Sequence, residues 1–326
     1  MDETSKAVIL LNLGGPDSTE SVKPFLYNLF SDREIIRLGP WFLQKPLARL
    51  IASRRAGKAE EYYRQIGGAS PLGRITTVQA EALEKKLNQR GGRFRVYVGM
   101  RYWHPFIADA VKEITDNGVS ELIVLPLFPQ YSRATTGSCF NELTRAAAAL
   151  ESEMKITYVQ SYYDHPLYIR ALSETISEGL SRFADGREQS VSILFSAHAL
   201  PQKFVDEGDP YVKQVKATIS AVTGRLGIDS WSLSFQSRSG PVKWTCPETK
   251  ETIKQLAAEG VENLLIVPIS FVSDHVETLY EMDILYKELG SGLGMKIERA
   301  PALNVLPVFI KALAEIVVQS EAGGKD

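Results

Sequence analysis

The sequence predicts an α/β protein built from two similar domains with parallel sheets, and three observations carry that expectation. Short runs rich in Val, Ile and Leu recur along the chain, several without polar alternation, as strands covered on both faces do. Segments with apolar residues at helical spacing separate them, and strand, helix, strand alternation builds parallel sheets. The third observation is an internal echo. Asn117-Gly-Val-Ser-Glu-Leu-Ile-Val-Leu-Pro126 resembles Glu259-Gly-Val-Glu-Asn-Leu-Leu-Ile-Val-Pro268, each with a Gly that ends a helix and a Pro that closes a buried strand. A split near residue 165 gives domains 1–165 and 166–326, with the last helix expected to pack back on the first domain.

The apolar run Ala7–Leu13 is the first expected strand, and Val96–Gly99, Glu121–Leu127 and Lys155–Val159 follow it in the first half. Val191–Ser196, Trp231–Phe235 and Asn263–Phe271 are their counterparts in the second. Helices are expected over Thr76–Asn88, Ile107–Thr115 and Tyr168–Phe183, where Val78, Leu83 and Leu87, or Leu172, Ile176 and Leu180, recur on one face. Leu43, Leu47, Leu50 and Ile51 form another helical stripe in Pro40–Tyr63, interleaved with Lys45, Arg49, Arg54, Arg55 and Lys58. Such a basic amphipathic segment suits an anionic membrane surface or the lip of an apolar pocket, and equally a helix packed on its own domain. Thr135-Thr-Gly-Ser138 reads as a turn leading to the N-cap of a helix through Leu143.

Composition excludes several classes of function. The 326 residues carry Lys+Arg 37 against Asp+Glu 39, so binding nucleic acid by bulk charge is not expected. Cys139 and Cys246 are the only cysteines, which rules out a multi-disulfide framework or a four-cysteine metal site within one chain and fits a reducing cytoplasm. The acidic start, Met1 to Lys6, does not read as an export signal, and no apolar run approaches the ~20 residues of a membrane-spanning helix.

Ligands in open α/β sheets bind beyond the carboxyl ends of the strands, so chemistry is sought there. Val191-Ser-Ile-Leu-Phe195 leads to Ser196-Ala-His198, and Leu264 to Phe271 leads to Asp274-His275-Val-Glu277-Thr-Leu-Tyr-Glu281-Met-Asp283. In a regular helix Asp274, Glu277 and Glu281 share one face at i, i+3 and i+7, with no basic residue along the chain until Lys287. Like charges so placed call for solvent, a protonated carboxyl or a visiting cation. A π-type turn would rotate His275 onto that face. The bland alternative is a solvated acidic helix start beside the N-terminal dipole. Gly14-Gly15 also follows a strand, but a dinucleotide fingerprint needs a glycine where Ser18 stands. A tight turn that brings backbone close to a flat ligand or to the next element fits as well. Arg101-Tyr-Trp-His104-Pro sets a cation and two aromatics at another strand top, suited to a flat anion or to core packing with Arg101 capping a helix.

Taken together, Leu-Asn-Leu-Gly-Gly-Pro (11–16), Arg-Tyr-Trp-His-Pro (101–105), Pro-Gln-Tyr-Ser (129–132), Phe-Ser-Ala-His-Ala-Leu-Pro (195–201), Phe-Gln-Ser-Arg-Ser-Gly-Pro (235–241) and Ser-Asp-His-Val-Glu-Thr-Leu-Tyr-Glu (273–281) resemble the ferrochelatase family, in its order and over nearly the whole chain. The resemblance implies two Rossmann-like, chelatase-type domains with a cleft between them and insertion of Fe2+ into a porphyrin in the last step of haem synthesis. It implies that His198 is the active-site histidine and Glu277 its paired glutamate, both as catalytic groups and as metal contacts, with Asp274, His275, Glu281 and Asp283 as an acidic relay. It places Arg55, Lys58, Tyr63 and Ser70 near the macrocycle edge and propionates, and Leu13, Arg101, Tyr102 and Trp244 on the pocket wall. Relatives that hold a 2Fe–2S cluster have a cysteine where Arg133 stands and more in a C-terminal extension, so no cluster and no permanently bound cofactor are expected. Leu-Gly-Gly-Pro in the first loop, where coproporphyrin-using relatives carry a tyrosine, points to protoporphyrin IX.

Metallation removes two pyrrole protons and needs a base, a route for a hydrated cation and walls that hold the ring out of plane. An imidazole with an ordinary pKa of about 6.5 can accept protons near neutrality. One imidazole with one or two carboxylates is an incomplete ligand set that releases its metal, whereas a closed set retains it. Whether His198 takes the protons or delivers the metal stays open at the level of sequence. A chelatase for another tetrapyrrole or metal, such as coproporphyrin III or a cobalt chelatase, and a non-catalytic tetrapyrrole carrier are the competing readings. A cytoplasmic protein with peripheral contact to the inner face of the membrane, receiving porphyrin from an upstream oxidase, completes the expectation.

Overall fold

The computed structural model describes residues 6–89, 93–183, 191–238, 240 and 242–323. Ser239 and Pro241 of the Phe-Gln-Ser-Arg-Ser-Gly-Pro motif and the acidic start before Lys6 therefore lie outside the described residues. The chain divides into two compact units. Unit 1 takes residues up to Tyr162 together with the segment from Phe309, and unit 2 runs from Tyr163 to Val308.

In unit 1 the elements are β1 (Lys6–Asn12), α1 (Val22–Ser31), α2 (Gln44–Gln65), α3 (Leu72–Asn88), β2 (Phe94–Met100), α4 (Ile107–Asp116), β3 (Glu121–Pro126), α5 (Ser138–Ala149) and β4 (Lys155–Tyr158). The four strands form one parallel sheet in the order β2-β1-β3-β4, with Leu11 opposite Pro126. β1 is buried on both faces, from Ala7 to Leu11, which is why its sequence shows no alternation. Ile9, Leu11, Val111, Ile114, Leu122, Val124 and Leu143 make the core on one side. Burying each such side chain contributes about 1.5–3 kcal/mol before entropy is subtracted.

Unit 2 repeats the plan with α6 (Pro166–Ser181), β5 (Val191–His198), α7 (Gln202–Asp206), α8 (Tyr211–Leu226), β6 (Ser232–Gln236), α9 (Thr249–Ala258), β7 (Asn263–Pro268), α10 (Lys287–Gly292) and β8 (Lys296–Arg299). The sheet is parallel in the order β6-β5-β7-β8, with Ser196 opposite Pro268. Leu194, Ile253, Leu264, Ile266, Met282 and Tyr286 form a core there. A final helix, α11 (Pro307–Gly323), groups with unit 1 from Phe309 onward, and its Glu321 pairs with Lys6 of β1.

The prolines of the echoed segments end β3 and β7, and in each unit a π-helix follows: Arg133–Gly137 in unit 1 and Glu277–Tyr286 in unit 2. Two expectations need correction, and one alternative left open by the sequence is decided. The run from Asn263 stops being strand at Pro268 rather than Phe271, because a Pro cannot donate to the ladder. The side-chain cap is Ser132, at the start of the π-helix that runs into α5, whose hydroxyl accepts from the Ala134 amide at 3.2 Å, while Ser138 is already the first residue of α5 and is fully buried. The stripe Leu43, Leu47, Leu50 and Ile51 is not the packed face of its helix. α2 buries Gln44, Ala48, Ala52, Ala56 and Tyr63, packing against α1 along small residues, and turns Leu50 outward, as the preceding turn does Leu43.

Candidate functional site

His198 is the last residue of β5, in register with Gln236 of β6. Tyr211, at the start of α8, donates its hydroxyl to the His198 carbonyl at 3.1 Å and contacts Ser270 Oγ at 2.6 Å, so strand end and loop are tied together. The imidazole Nδ1 lies 2.9 Å from Glu277 Oε2, and the side chains keep 36% and 22% of their exposure. Burial alone would discourage charge on both groups. Each nonetheless stabilises the other's ion: the His198 pKa is raised above 6.5 by the Glu277 carboxylate, with Glu281 adding to it, and the Glu277 carboxyl is held well below the usual carboxylate range by His198 and His275.

The acidic segment is not one helical stripe. Asp274 and His275 precede the helix, and the π-helix begins at Glu277. The expected rotation of His275 by a π-turn is thus replaced by an approach from the N-terminal side. His275 Nδ1 bonds the Ser273 carbonyl at 3.1 Å, which leaves Nε2 facing Glu277 Oε2 at 3.7 Å. Glu281 accepts a hydrogen bond from Ser237 Oγ at 2.7 Å, and burial together with the nearby Glu277 charge pushes its pKa up to about 7. Asp274 and Asp283 go elsewhere. Both bond Arg299 at the end of β8: Asp274 Oδ1 lies 3.1 Å from Nη1, and Asp283 is gripped at 3.0 Å by Nε and 2.7 Å by Nη2. The cation that the local sequence lacks before Lys287 therefore arrives from a distant strand.

In unit 1 the expected porphyrin contacts divide into two sets. Arg55 and Lys58 lie exposed on α2, with Arg55 over the Phe30 ring at 5.4 Å and Lys58 over Tyr62 at 5.7 Å. Tyr63 is buried near the end of that helix, and Ser70 follows, its amide donating to the Pro16 carbonyl at 2.7 Å. A Cβ on Gly15 would come within 2.4 Å of Ser70 Oγ, and Gly14, at φ +84°, lets the first loop approach Met100 and Trp103. The glycine pair thus serves a close backbone approach. Half-buried Leu13 closes β1, its carbonyl accepting from the Tyr102 amide at 2.9 Å.

Arg101 and Tyr102 are occupied inside the unit rather than presented as open wall. Asp32 Oδ2 accepts from Arg101 Nη2 at 2.9 Å, from Tyr102 at 2.7 Å and from Ser138 at 2.6 Å. Tyr102 is buried. Trp244 in unit 2 is half-buried, pairs by its backbone with Pro201, and keeps a buried Nε1 without a hydrogen-bond partner. Sequence reasoning missed Asp32, Tyr211 and Arg299. Each stands alone outside any chemical spacing, and only the fold supplies its partners. Among the described residues no group of three or more His, Cys, Asp or Glu side chains is arranged to hold a metal ion.

A model of the ferrochelatase family matches residues 5–321. The chain is 54% identical to the ferrochelatase of Geotalea uraniireducens over 312 residues, which is 95% of this chain and 96% of the relative. It is 49% identical to the ferrochelatase of Desulfotalea psychrophila, covering 98% of each chain. Among solved structures, SirB from Bacillus subtilis with Fe3+ superposes with a TM-score of 0.58 at 13% identity, over 99% of this chain and 98% of that one. That likeness concerns the fold alone.

Proposed function

Because this chain belongs to the ferrochelatase family and is therefore a lyase that inserts iron into porphyrin, we propose that its substrate is protoporphyrin IX and that His198 and Glu277 carry the transfer. The observation that supports the assignment is the 2.9 Å contact between an imidazole at a strand end and a carboxylate at the mouth of a π-helix, both still open to solvent. In the resting pair the proton sits on His198 and the negative charge on Glu277. Arrival of Fe2+ at the carboxylate weakens its hold on that proton, which leaves for Glu281 or for water; the neutral imidazole then accepts one pyrrole proton, passes it out by the same route and accepts the second, so that two protons are released as the metal enters the ring. Glu281, close to half-ionised near neutrality, takes up or releases a proton beside Glu277 with little driving force. One imidazole and one carboxylate in contact are an incomplete ligand set, which suits passing iron along rather than storing it and favours an enzyme over a carrier.

Leu13, Arg55, Lys58, Tyr63, Ser70 and Trp244 remain as porphyrin contacts, with the two cations on α2 meeting propionates. Arg101 and Tyr102 support that wall from behind through Asp32. No permanently bound cofactor and no iron–sulfur cluster take part. The segment before and along α2 serves as lip and reversible membrane contact: Trp41 is 78% and Phe42 60% exposed, beside Lys45, Arg49 and Arg54. No described helix is long and apolar enough to cross a membrane. The test is an anaerobic assay of purified protein with Fe2+ and protoporphyrin IX, with coproporphyrin III in parallel, following the porphyrin absorption bands. Faster metallation of coproporphyrin III overturns the substrate assignment.

A further inference from the structure

We propose that Arg299 is a positioning residue for metal insertion, a clamp that ties the π-helix, which presents Glu277 to His198, to the segment just before it. The inference rests on the reading that this pair carries the reaction. A π-helix closes i→i+5 bonds, is rare, and occurs mostly as a single turn within an α-helix. Here it runs from Glu277 to Tyr286, so something outside it must fix its register.

Arg299 meets that need. It ends β8, where it pairs with Ile266 of β7, and its side chain is only 10% exposed. Its fork holds Asp283, six residues beyond Glu277, through Nε and Nη2. Its third nitrogen, Nη1, reaches Asp274, three residues before Glu277, at 3.1 Å. Asp274 Oδ1 in turn accepts from Thr278 Oγ1 at 3.0 Å, and Thr278 is the fully buried neighbour of Glu277. Asn304 completes the anchorage: its Nδ2 donates to Asp274 Oδ2 at 2.8 Å and its Oδ1 accepts from the Asp274 amide at 2.9 Å. Other charges near this cluster are Lys287, 3.9 Å from Asp283 and 3.1 Å from Glu298, and Arg182, which donates to the Arg299 carbonyl. Lys287 can keep Asp283 company if Arg299 is lost, but Asp274 has no second cation among the described residues. Only a planar fork with five donors spans both carboxylates at once.

The test compares Arg299→Lys, which keeps the buried charge and loses the fork, with the triple variant Asp274→Asn/Asp283→Asn/Arg299→Met, which removes every charge of the clamp at nearly constant size. A displacement of about 1 Å can cost a catalytic group roughly 10²-fold in rate. Turnover is expected to fall by about 10-fold or more in both variants. KM for protoporphyrin IX should stay within about twofold, since the proposed porphyrin contacts lie on other elements. In protein labelled with 15N-histidine, the His198 ring signal, recognised by its change in Glu277→Gln, should shift in both variants while that of His104 in unit 1 stays in place. Should the triple variant not fold, Arg299→Lys decides alone. Unchanged turnover and an unmoved His198 signal overturn the proposal, as does a parallel loss of turnover, porphyrin affinity and thermal stability, which marks a purely structural ion cluster. An inactive Glu277→Gln beside fully active Arg299 variants sinks this inference alone. A fully active Glu277→Gln sinks the proposed function and this inference with it.

Discussion

At the scale of single residues, charge sharing between His198 and Glu277 has consequences for rate and for stability. For Glu277→Gln, which keeps shape and loses charge, turnover should fall by about 10²-fold or more, the scale of a lost acid–base group. His198→Ala should abolish metallation while porphyrin quenching titrations still show binding; loss of both would give His198 a structural role. If His198 must be neutral to accept a proton, kcat/KM rises with pH through a pKa above the ordinary 6.5, and Glu277→Gln moves that midpoint down. The ion pair is complete only with the imidazole protonated and the carboxylate ionised. On the histidine side its stabilisation is full below the unfolded imidazole pKa of about 6.5 and fades as pH rises through the raised folded value. On the glutamate side it is full above about 4.3 and fades as pH falls through the depressed folded value. The difference in Tm between wild type and Glu277→Gln should therefore peak between about pH 4.5 and 6.5, and a flat difference from pH 4 to 9 speaks against the pair. The sequence singles out both residues because each sits in one contiguous segment after a buried strand, and their pairing comes from the family resemblance. It does not single out Arg299, since a lone arginine near the end of a polar run acquires meaning only when β8 sets it beside Asp274 and Asp283.

Among the elements, α2 is legible as helix from its periodicity, but its packed face is not: alanines at 48, 52 and 56 let α2 lie close to α1 and free larger side chains for the surface. Close approach of two helices rewards small residues, and a search for bulky apolar ones misses it. Vesicle flotation with anionic lipids tests the outward face. Wild type should float at low salt and less at high salt, each basic residue adding about 1 kcal/mol near the surface. An Arg49→Glu/Arg54→Glu variant that floats as well as wild type removes the membrane role. β8 escaped notice for a different reason: four residues, partly exposed at a sheet edge, carry too little apolar pattern. Its neighbourhood is nevertheless tight. A Cβ at Gly179 of α6 would come within 2.7 Å of Leu265 Cδ1 and 3.1 Å of Ala300 Cα. Because the second of these is backbone, Gly179→Ala should cost about 1–3 kcal/mol, read as a lowered denaturation midpoint with an unchanged m-value. Equal stability would mean that α6 shifts freely.

For the whole molecule, the α/β class, the parallel sheets and the repetition were all legible, because buried parallel strands write near-continuous apolar runs into sequence. The absence of a resident metal or cluster is an expectation with a direct check. Protein purified aerobically should lack visible iron–sulfur absorption, and exhaustive chelation should leave Tm unchanged; a drop of several degrees would reveal a structural metal.

The two sheets share one strand order, and Leu11 faces Pro126 as Ser196 faces Pro268. Two positions further along, Leu13 stands in unit 1 where His198 stands in unit 2. Arg101 likewise answers to Gln236, and the short π-helix at Arg133–Gly137 answers to the long one that bears Glu277. Around Glu277 the shared plan carries the proposed chemistry, and around Asp32 it carries a buried hydrogen-bonded socket. In a library covering both halves, paired sites should diverge in phenotype: changes at the socket around Asp32 would thin out the amount of folded protein, and changes at its sister around Glu277 would leave abundance intact and silence the chemistry.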